Sequence, residues 1–133
     1  MPAPPREMDA AEFEELGRLT AKYKASRSEK VNARRFRSHF GVPSDVIACT
    51  WELVIESPFL KRKLGRREPQ PKHFLWAMML NKIYSTMPVL ATRLQIDEKT
   101  LEKWAKLYLE AVAELDRSVV SMVVYLFIYF YYV

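Results

Sequence analysis

Cysteine and glycine are scarce in this chain of 133 residues, which has one cysteine and three glycines. A single cysteine, Cys49, excludes an intrachain disulfide framework and a thiolate metal site, and it fits a reducing compartment. Runs of alternating apolar and polar residues are also few before residue 119, which argues against a sheet. The sequence therefore predicts an all-α protein, a small helical bundle.

The N-terminus lacks the apolar stretch of a secretory signal, so we expect none. Its proline-rich composition predicts a disordered arm over residues 1–8, followed by a helical domain over residues 9–118. Half of the residues are apolar, which suffices for a core in one small domain.

The net charge is +5, which favours an anionic partner such as nucleic acid or a membrane surface, although a soluble protein can simply be basic. No acidic residues are combined with His, Cys or a Gly-rich loop in a way that suggests an active site. The acids considered are Asp45, Glu52, Asp97 and Glu98. We expect neither an enzyme nor a cofactor, and no metal, because the only histidines, His39 and His73, have no acidic partners at ligand spacing.

Capping residues divide the first half of the chain into helices. Asp9 is placed to cap a helix that runs to about Lys24, and Ser28 to cap one that ends at Gly41. Ser44 is placed to cap a third helix, 45–56, in whose apolar run we expect Cys49 to be a buried structural thiol.

Residues 57–72 are expected to be a linker, because prolines at both ends stop helix formation. Pro71 then opens a helix that is apolar almost all round and must be the central, buried one. His73, at its start, is expected to be a capping or packing residue.

Residues 87–107 have the pattern of a helix-turn-helix. Ala91 occupies the small-residue position of the first helix, Ile96 fills the turn, and Asp97 is placed to cap the second helix. Gln95 disagrees, because this turn position usually needs a residue that tolerates a positive φ. Inward-facing apolar positions complete the pattern at Leu90, Leu94, Leu101 and Trp104. An ordinary helical hairpin would fit the same pattern.

The second helix of this unit continues past residue 107 with apolar residues at three- and four-residue steps. Its opposite face begins with Glu98, Lys99, Glu102, Lys103 and Lys106. In a helix-turn-helix these turns enter the major groove, where lysines meet phosphates or guanine edges and glutamates accept from cytosine. Glu102 and Lys106 are also spaced to form an ion pair with each other.

Two basic clusters lie outside this unit. The first, residues 22–39, includes Arg34 and Arg35, and the second, residues 57–72, includes Lys61, Arg62, Lys63, Arg66 and Arg67. Either cluster could contact DNA phosphates, or be no more than a solvated surface. The second could also be a nuclear-localisation address, so we expect a nuclear protein.

Residues 40 to about 119 resemble the N-terminal region of Harbinger-type transposases, DDE-superfamily proteins. The resemblance is carried by FGVPSDVIACTWELV (40–54), PKHFLWAMMLNKIY (71–84) and DEKTLEKWAKLYLEAVAEL (97–115). It implies a helical DNA-binding module that precedes an RNase-H-like nuclease domain with three metal-binding carboxylates. This chain ends before such a domain, so the resemblance implies a fragment with the DNA-binding half alone.

Residues 119–133, VVSMVVYLFIYFYYV, differ abruptly from the rest, with no charge after Arg117. They are too few to span a bilayer as a helix, which takes about 20 residues. One hypothesis is an intron translated as coding sequence after about Ser121. Another is a short membrane anchor, which makes a membrane-associated interaction protein the alternative to DNA binding. Deleting residues 119–133 distinguishes the two: the DNA-binding hypothesis predicts that binding stays intact, and the membrane hypothesis predicts that association is abolished.

Overall fold

The computed structural model describes residues 8–83 and 86–115, which form seven helices and no strand. The helices are α1 (Ala10–Ala21), α2 (Glu29–Phe40), α3 (Ser44–Ile55), α4 (Pro58–Leu64), α5 (Pro71–Ile83), α6 (Met87–Leu94) and α7 (Glu98–Leu115). The predicted all-α class is confirmed. The apolar tail, 119–133, and most of the expected arm lie outside the described residues, but Met8 is partly buried against the core.

Local capping chemistry sets the ends of α1 and α2. The Asp9 carboxylate accepts from the backbone N–H of Glu12 at 2.8 Å, and the Ser28 hydroxyl accepts from that of Val31 at 3.4 Å. Gly41 ends α2 at φ +87°, in the left-handed region that glycine adopts without steric cost. The first helix ends earlier than expected, at Ala21, because Lys22 adopts φ +62° and its N–H donates back to the Arg18 carbonyl.

Two expectations about α3 are wrong. Ser44 is the first residue of the helix, with Pro43 at the cap position, and its hydroxyl lies 3.5 Å from a Glu14 carboxylate oxygen. Cys49 is exposed and not buried. The run is apolar on both faces, so the pattern could not show which of them is buried. The buried side chains are those of Ile47, Ala48, Trp51, Val54 and Ile55.

The expected linker contains a helix, α4. Pro58 occupies the first turn, where its missing N–H removes no hydrogen bond, so this proline starts a helix instead of stopping one. Leu60 and Leu64, one turn apart, are both at least 96% buried and anchor α4 to the bundle. The backbone after Gly65 then leads to α5.

Four aromatic rings from four helices meet at the centre of the bundle. Trp51 of α3 lies 6.0 Å from Phe13 of α1 and 5.7 Å from Phe74 of α5, between ring centroids. Tyr108 of α7 completes the group at 6.4 Å from both Trp51 and Phe74. The expected central position of α5 is confirmed, because it packs on α7, α2 and α1 and buries five consecutive side chains, 73–77.

Gly17 allows α2 to approach α1 closely. A Cβ atom at this position would lie 2.5 Å from Phe36 Cε2 and 2.8 Å from Phe40 Cε2, well inside van der Waals contact. The two phenylalanines are at least 99% buried against the α1 backbone as a result.

A candidate nucleic-acid interface

A three-residue turn joins α6 to α7. The Ile96 N–H donates to the Ala91 carbonyl and the Gln95 N–H to the Thr92 carbonyl, the pair of bonds that defines a Schellman cap. Gln95 adopts the left-handed conformation at φ +58° that the turn requires. The Asp97 carboxylate accepts from the Thr100 N–H at 3.3 Å, so the predicted cap of the second helix is confirmed.

The inner face of the α6–α7 unit is buried as the pattern predicts. The buried residues are Leu90, Ala91, Leu94, Leu101 and Ala105. Ala91 has no side chain beyond Cβ, which is what permits two short helices to cross closely. Trp104 is only partly buried, and the part of its ring that faces outward becomes part of the surface described below.

Three lysines form a stripe on the exposed side of α7. Lys99, Lys103 and Lys106 project within about 60° of one another around the helix axis and span about 10 Å along it. All three are exposed, and none has a hydrogen bond or an ion pair within residues 8–83 and 86–115. The Glu102–Lys106 ion pair, the alternative to a DNA contact for these residues, is also absent from this part of the chain, so the charge of Lys106 is available to a partner.

The charge on this face of α7 changes from positive to negative after Lys106. Glu110 and Glu114 follow Lys103 by seven and eleven residues, which puts them within about 20° of it around the axis. Both are exposed. Their charges would repel phosphates, so an anion that follows the stripe must leave α7 near Lys106.

Glu98 and Glu102 occupy one edge of this face. Glu102 lies beside Leu80 and Met87, on the side of α7 that faces the start of α6. The lysine stripe is therefore flanked by carboxylates on the α6 side and by Trp104 on the other.

Trp104 joins the lysine stripe to the second basic cluster. Its indole stacks on the His73 ring with centroids 4.4 Å apart and planes at 12°. The Lys103 ammonium lies 4.8 Å and the Arg67 guanidinium carbon 5.3 Å from the Trp104 ring centroid, both within cation–π range. Two charges that are far apart in sequence are thus held on one ring.

His73 adds no charge to this junction. It is 92% buried between Trp76 and Trp104, and burial, followed by the charges of Lys72 and Lys103, lowers its pKa to about 4. The ring is neutral near pH 7. The expected packing role is confirmed, and its Nδ1 forms no hydrogen bond with any described residue.

Arg66 and Arg67 differ although they are adjacent. The Arg67 Nε and Nη2 donate to the carbonyls of Leu64 and Lys63 at 3.3 and 3.4 Å, which ties the guanidinium to the end of α4. Arg66 is exposed, with no such bond to any described residue. Of the two, Arg66 has all of its donors free for a partner.

The α4 cations are also engaged to different degrees. Lys61 pairs with Glu56 at 3.2 Å, and the Lys63 ammonium lies 5.8 Å from the Phe59 ring centroid. Arg62 is exposed without a partner in the described residues. The helix that carries these charges, α4, packs on α7, the helix that carries the lysine stripe.

The first basic cluster belongs to a different part of the bundle. Its helix, α2, packs mainly on α5, α1 and α3, and Gly41 at its end lies next to Lys82, at the opposite end of α5 from His73. Arg35 Nη1 donates to the Lys24 carbonyl at 2.5 Å, so it braces the preceding loop, whereas Arg34 is exposed.

Sequence reasoning missed two residues of the interface. Arg93 is exposed on α6 just before the turn, and Trp104, expected only as an inward-facing core residue, also contacts Arg67 and Lys103. Lys72, which belongs to the second basic cluster, lies 5.9 Å from the Trp76 ring centroid, next to the His73–Trp104 stack. The cation-flanked indole has no pattern in the sequence, because Arg67 and Trp104 are 37 positions apart.

Comparison of the chain with protein-family models, with curated proteins and with solved structures finds no match. In the part of the chain that the structure describes, no three His, Cys, Asp or Glu side chains are grouped so that they could hold a metal ion. No helix there is both long and apolar enough to cross a membrane.

Proposed function

We propose that the protein is a duplex-DNA-binding module in which α6 and α7 act as a helix-turn-helix. The observation that carries the proposal is the stripe of three exposed lysines on the first turns of the second helix, none of which has a hydrogen bond or an ion pair within residues 8–83 and 86–115. These are the turns that such a unit inserts into the major groove. The change of charge at Glu110 limits the contact to the same turns.

The proposed mechanism has two parts. The cations of α4 and of the loop before α5, above all Arg62 and Arg66, attract the duplex and contact backbone phosphates beside the groove. Lys99, Lys103 and Lys106 then contact phosphates or guanine edges, and Glu98 or Glu102 accepts from a cytosine amino group.

The exposed side of these turns carries no Arg, Asn or Gln for bidentate base contacts. We therefore expect weak sequence discrimination. We also propose that the chain corresponds to the DNA-binding region of a Harbinger-type transposase-like protein, which its sequence resembles. The membrane alternative depends on residues 119–133, outside the described residues.

The test is duplex binding by the full chain, measured by fluorescence anisotropy over a salt series. A slope of log affinity against log salt near −0.9 per phosphate, summing to about three to five contacts, would support the function. Lys99→Ala/Lys103→Ala should reduce the steepness of this slope by about 2. No binding at low salt would refute the proposal.

A charge-matched control separates the α7 site from general electrostatic attraction. Lys24→Ala/Lys30→Ala removes two exposed lysines from the first basic cluster, at and before α2. It should change affinity much less than the α7 pair does. Equal losses from the two pairs would mean that net charge alone drives binding, and would contradict the assignment of α7.

A further inference from the structure

We infer that Trp104 and His73 are positioning residues for a phosphate site, in which the indole holds Lys103 and Arg67 in place before a duplex binds. This inference rests on the proposed DNA-binding function and names the group that this part of the surface takes. The group is a backbone phosphate and not a stacked base.

The donors of the two cations remain available while the indole holds them. Arg67 uses two of its five N–H donors on the α4 carbonyls, which leaves three. The Lys103 ammonium has no hydrogen bond within the described ranges, so its three donors are free. A phosphate that bridges the two cations would find both already placed.

The benefit of this arrangement is entropic. Long lysine and arginine side chains lose considerable rotamer freedom when a partner fixes them. Two contacts with one ring, together with the bonds from Arg67 to α4, restrict both side chains in the free protein. Less freedom is then lost on binding, and the affinity rises without an additional contact.

The same contacts disfavour base stacking. A base stacks on an aromatic ring only where a face is free, as on the platforms of single-strand binders. Here the His73 ring stacks on the indole at 4.4 Å, and two cations lie over the same indole. His73 keeps the indole from turning, and because it is neutral it does not repel Lys103.

The experiment compares Trp104→Leu, Trp104→Phe and Lys103→Ala in the full chain, with a 20-base-pair duplex and an oligo-dT strand of equal length as probes. Trp104→Leu should weaken duplex binding about tenfold, because the loss of both cation–π contacts frees two long side chains that binding must then order, whereas Trp104→Phe should stay within about threefold because it keeps a ring. The salt slope should change by about 0.9 in Lys103→Ala and remain nearly constant in Trp104→Leu, which removes no charge.

A second measurement needs no variant and so does not depend on whether Trp104→Leu folds. In the free parent protein, the ring current of Trp104 should shift the Lys103 ε-methylene protons upfield in the NMR spectrum. The shift should persist when duplex is added. Its absence in the free protein would overturn the inference.

The remaining outcomes separate the inference from the function. A parent protein that binds duplex, with Trp104→Leu folded and unchanged in affinity, overturns only the positioning role. Equal losses in the Leu and Phe variants also overturn it. If Trp104→Leu loses more affinity for oligo-dT than for duplex, and oligo-dT quenches the tryptophan fluorescence of the parent protein, Trp104 stacks on a base and the positioning role is overturned. A parent protein that fails to bind duplex overturns the proposed function and the inference with it.

Discussion

His73 should destabilise the folded protein increasingly as the pH falls, and replacing it by Phe should remove this effect. The pKa of His73 falls from 6.5 in an exposed setting to about 4 in the folded protein, because burial and then Lys72 and Lys103 disfavour the imidazolium. The unfolded chain therefore binds this proton more readily than the folded one. The free energy of unfolding must fall as the pH drops from about 6.5 through 4.

The shift in pKa sets the magnitude. Each pKa unit corresponds to about 1.4 kcal/mol, so His73 costs about 3 kcal/mol of stability by pH 4, of which about 2 kcal/mol is already lost at pH 5. Near pH 7 the cost is close to zero. Phe fits the same stack on Trp104 and has no Nδ1 to leave buried without a hydrogen bond, so His73→Phe should be at least as stable as the parent there.

The assay is urea unfolding followed by far-ultraviolet circular dichroism, for the parent and His73→Phe, between pH 7.5 and 4.5. Carboxylates titrate in both proteins and cancel in the difference. The stability of the variant relative to the parent should grow by about 2 kcal/mol between pH 7.5 and pH 5. Parallel curves over this range would refute the account of His73 as a buried neutral ring.

Four further predictions follow from single positions. Gly17→Ala should destabilise the protein by about 1–3 kcal/mol in urea unfolding, because the new Cβ would lie 2.5 Å from Phe36 Cε2; a gain in stability, as helix propensity alone predicts, would contradict this contact. Gln95→Gly should stabilise it by about 0.5–1 kcal/mol in the same assay, because glycine adopts φ +58° without a Cβ clash. Cys49 should react with a thiol reagent in the native protein at nearly the rate of the unfolded chain, and Cys49→Ser should change stability by less than about 0.5 kcal/mol; a protected thiol would restore the buried assignment. Arg67→Ala should lower the melting temperature more than Arg66→Ala, because only Arg67 bonds α4 carbonyls and contacts Trp104, and equal effects would count against that bracing role.

The sequence alone determined those features that depend on chemistry between near neighbours. Asp9, Ser28 and Asp97 each accept an N–H three residues ahead, and Gly41 ends a helix, because these interactions depend only on a few consecutive residues. The amphipathic pattern of α7 likewise predicted its buried face, since one stripe is apolar and the other charged.

Other features required the packed structure. The α3 run is apolar on both sides, so its periodicity could not show that Cys49 faces outward. Pro58 is compatible with the end of one helix or the start of another, and the burial of Leu60 and Leu64 decides for a start.

The tertiary structure also decided which cations share a surface. Arg66 and Arg67 are the same residue type at consecutive positions, yet the fold directs only Arg67 towards the end of α4 and the Trp104 ring. Lys103 joins it there from a helix that begins more than thirty residues later. Contacts of this kind depend on how helices cross, and the crossing depends on the whole core, so no local pattern in the sequence contains them.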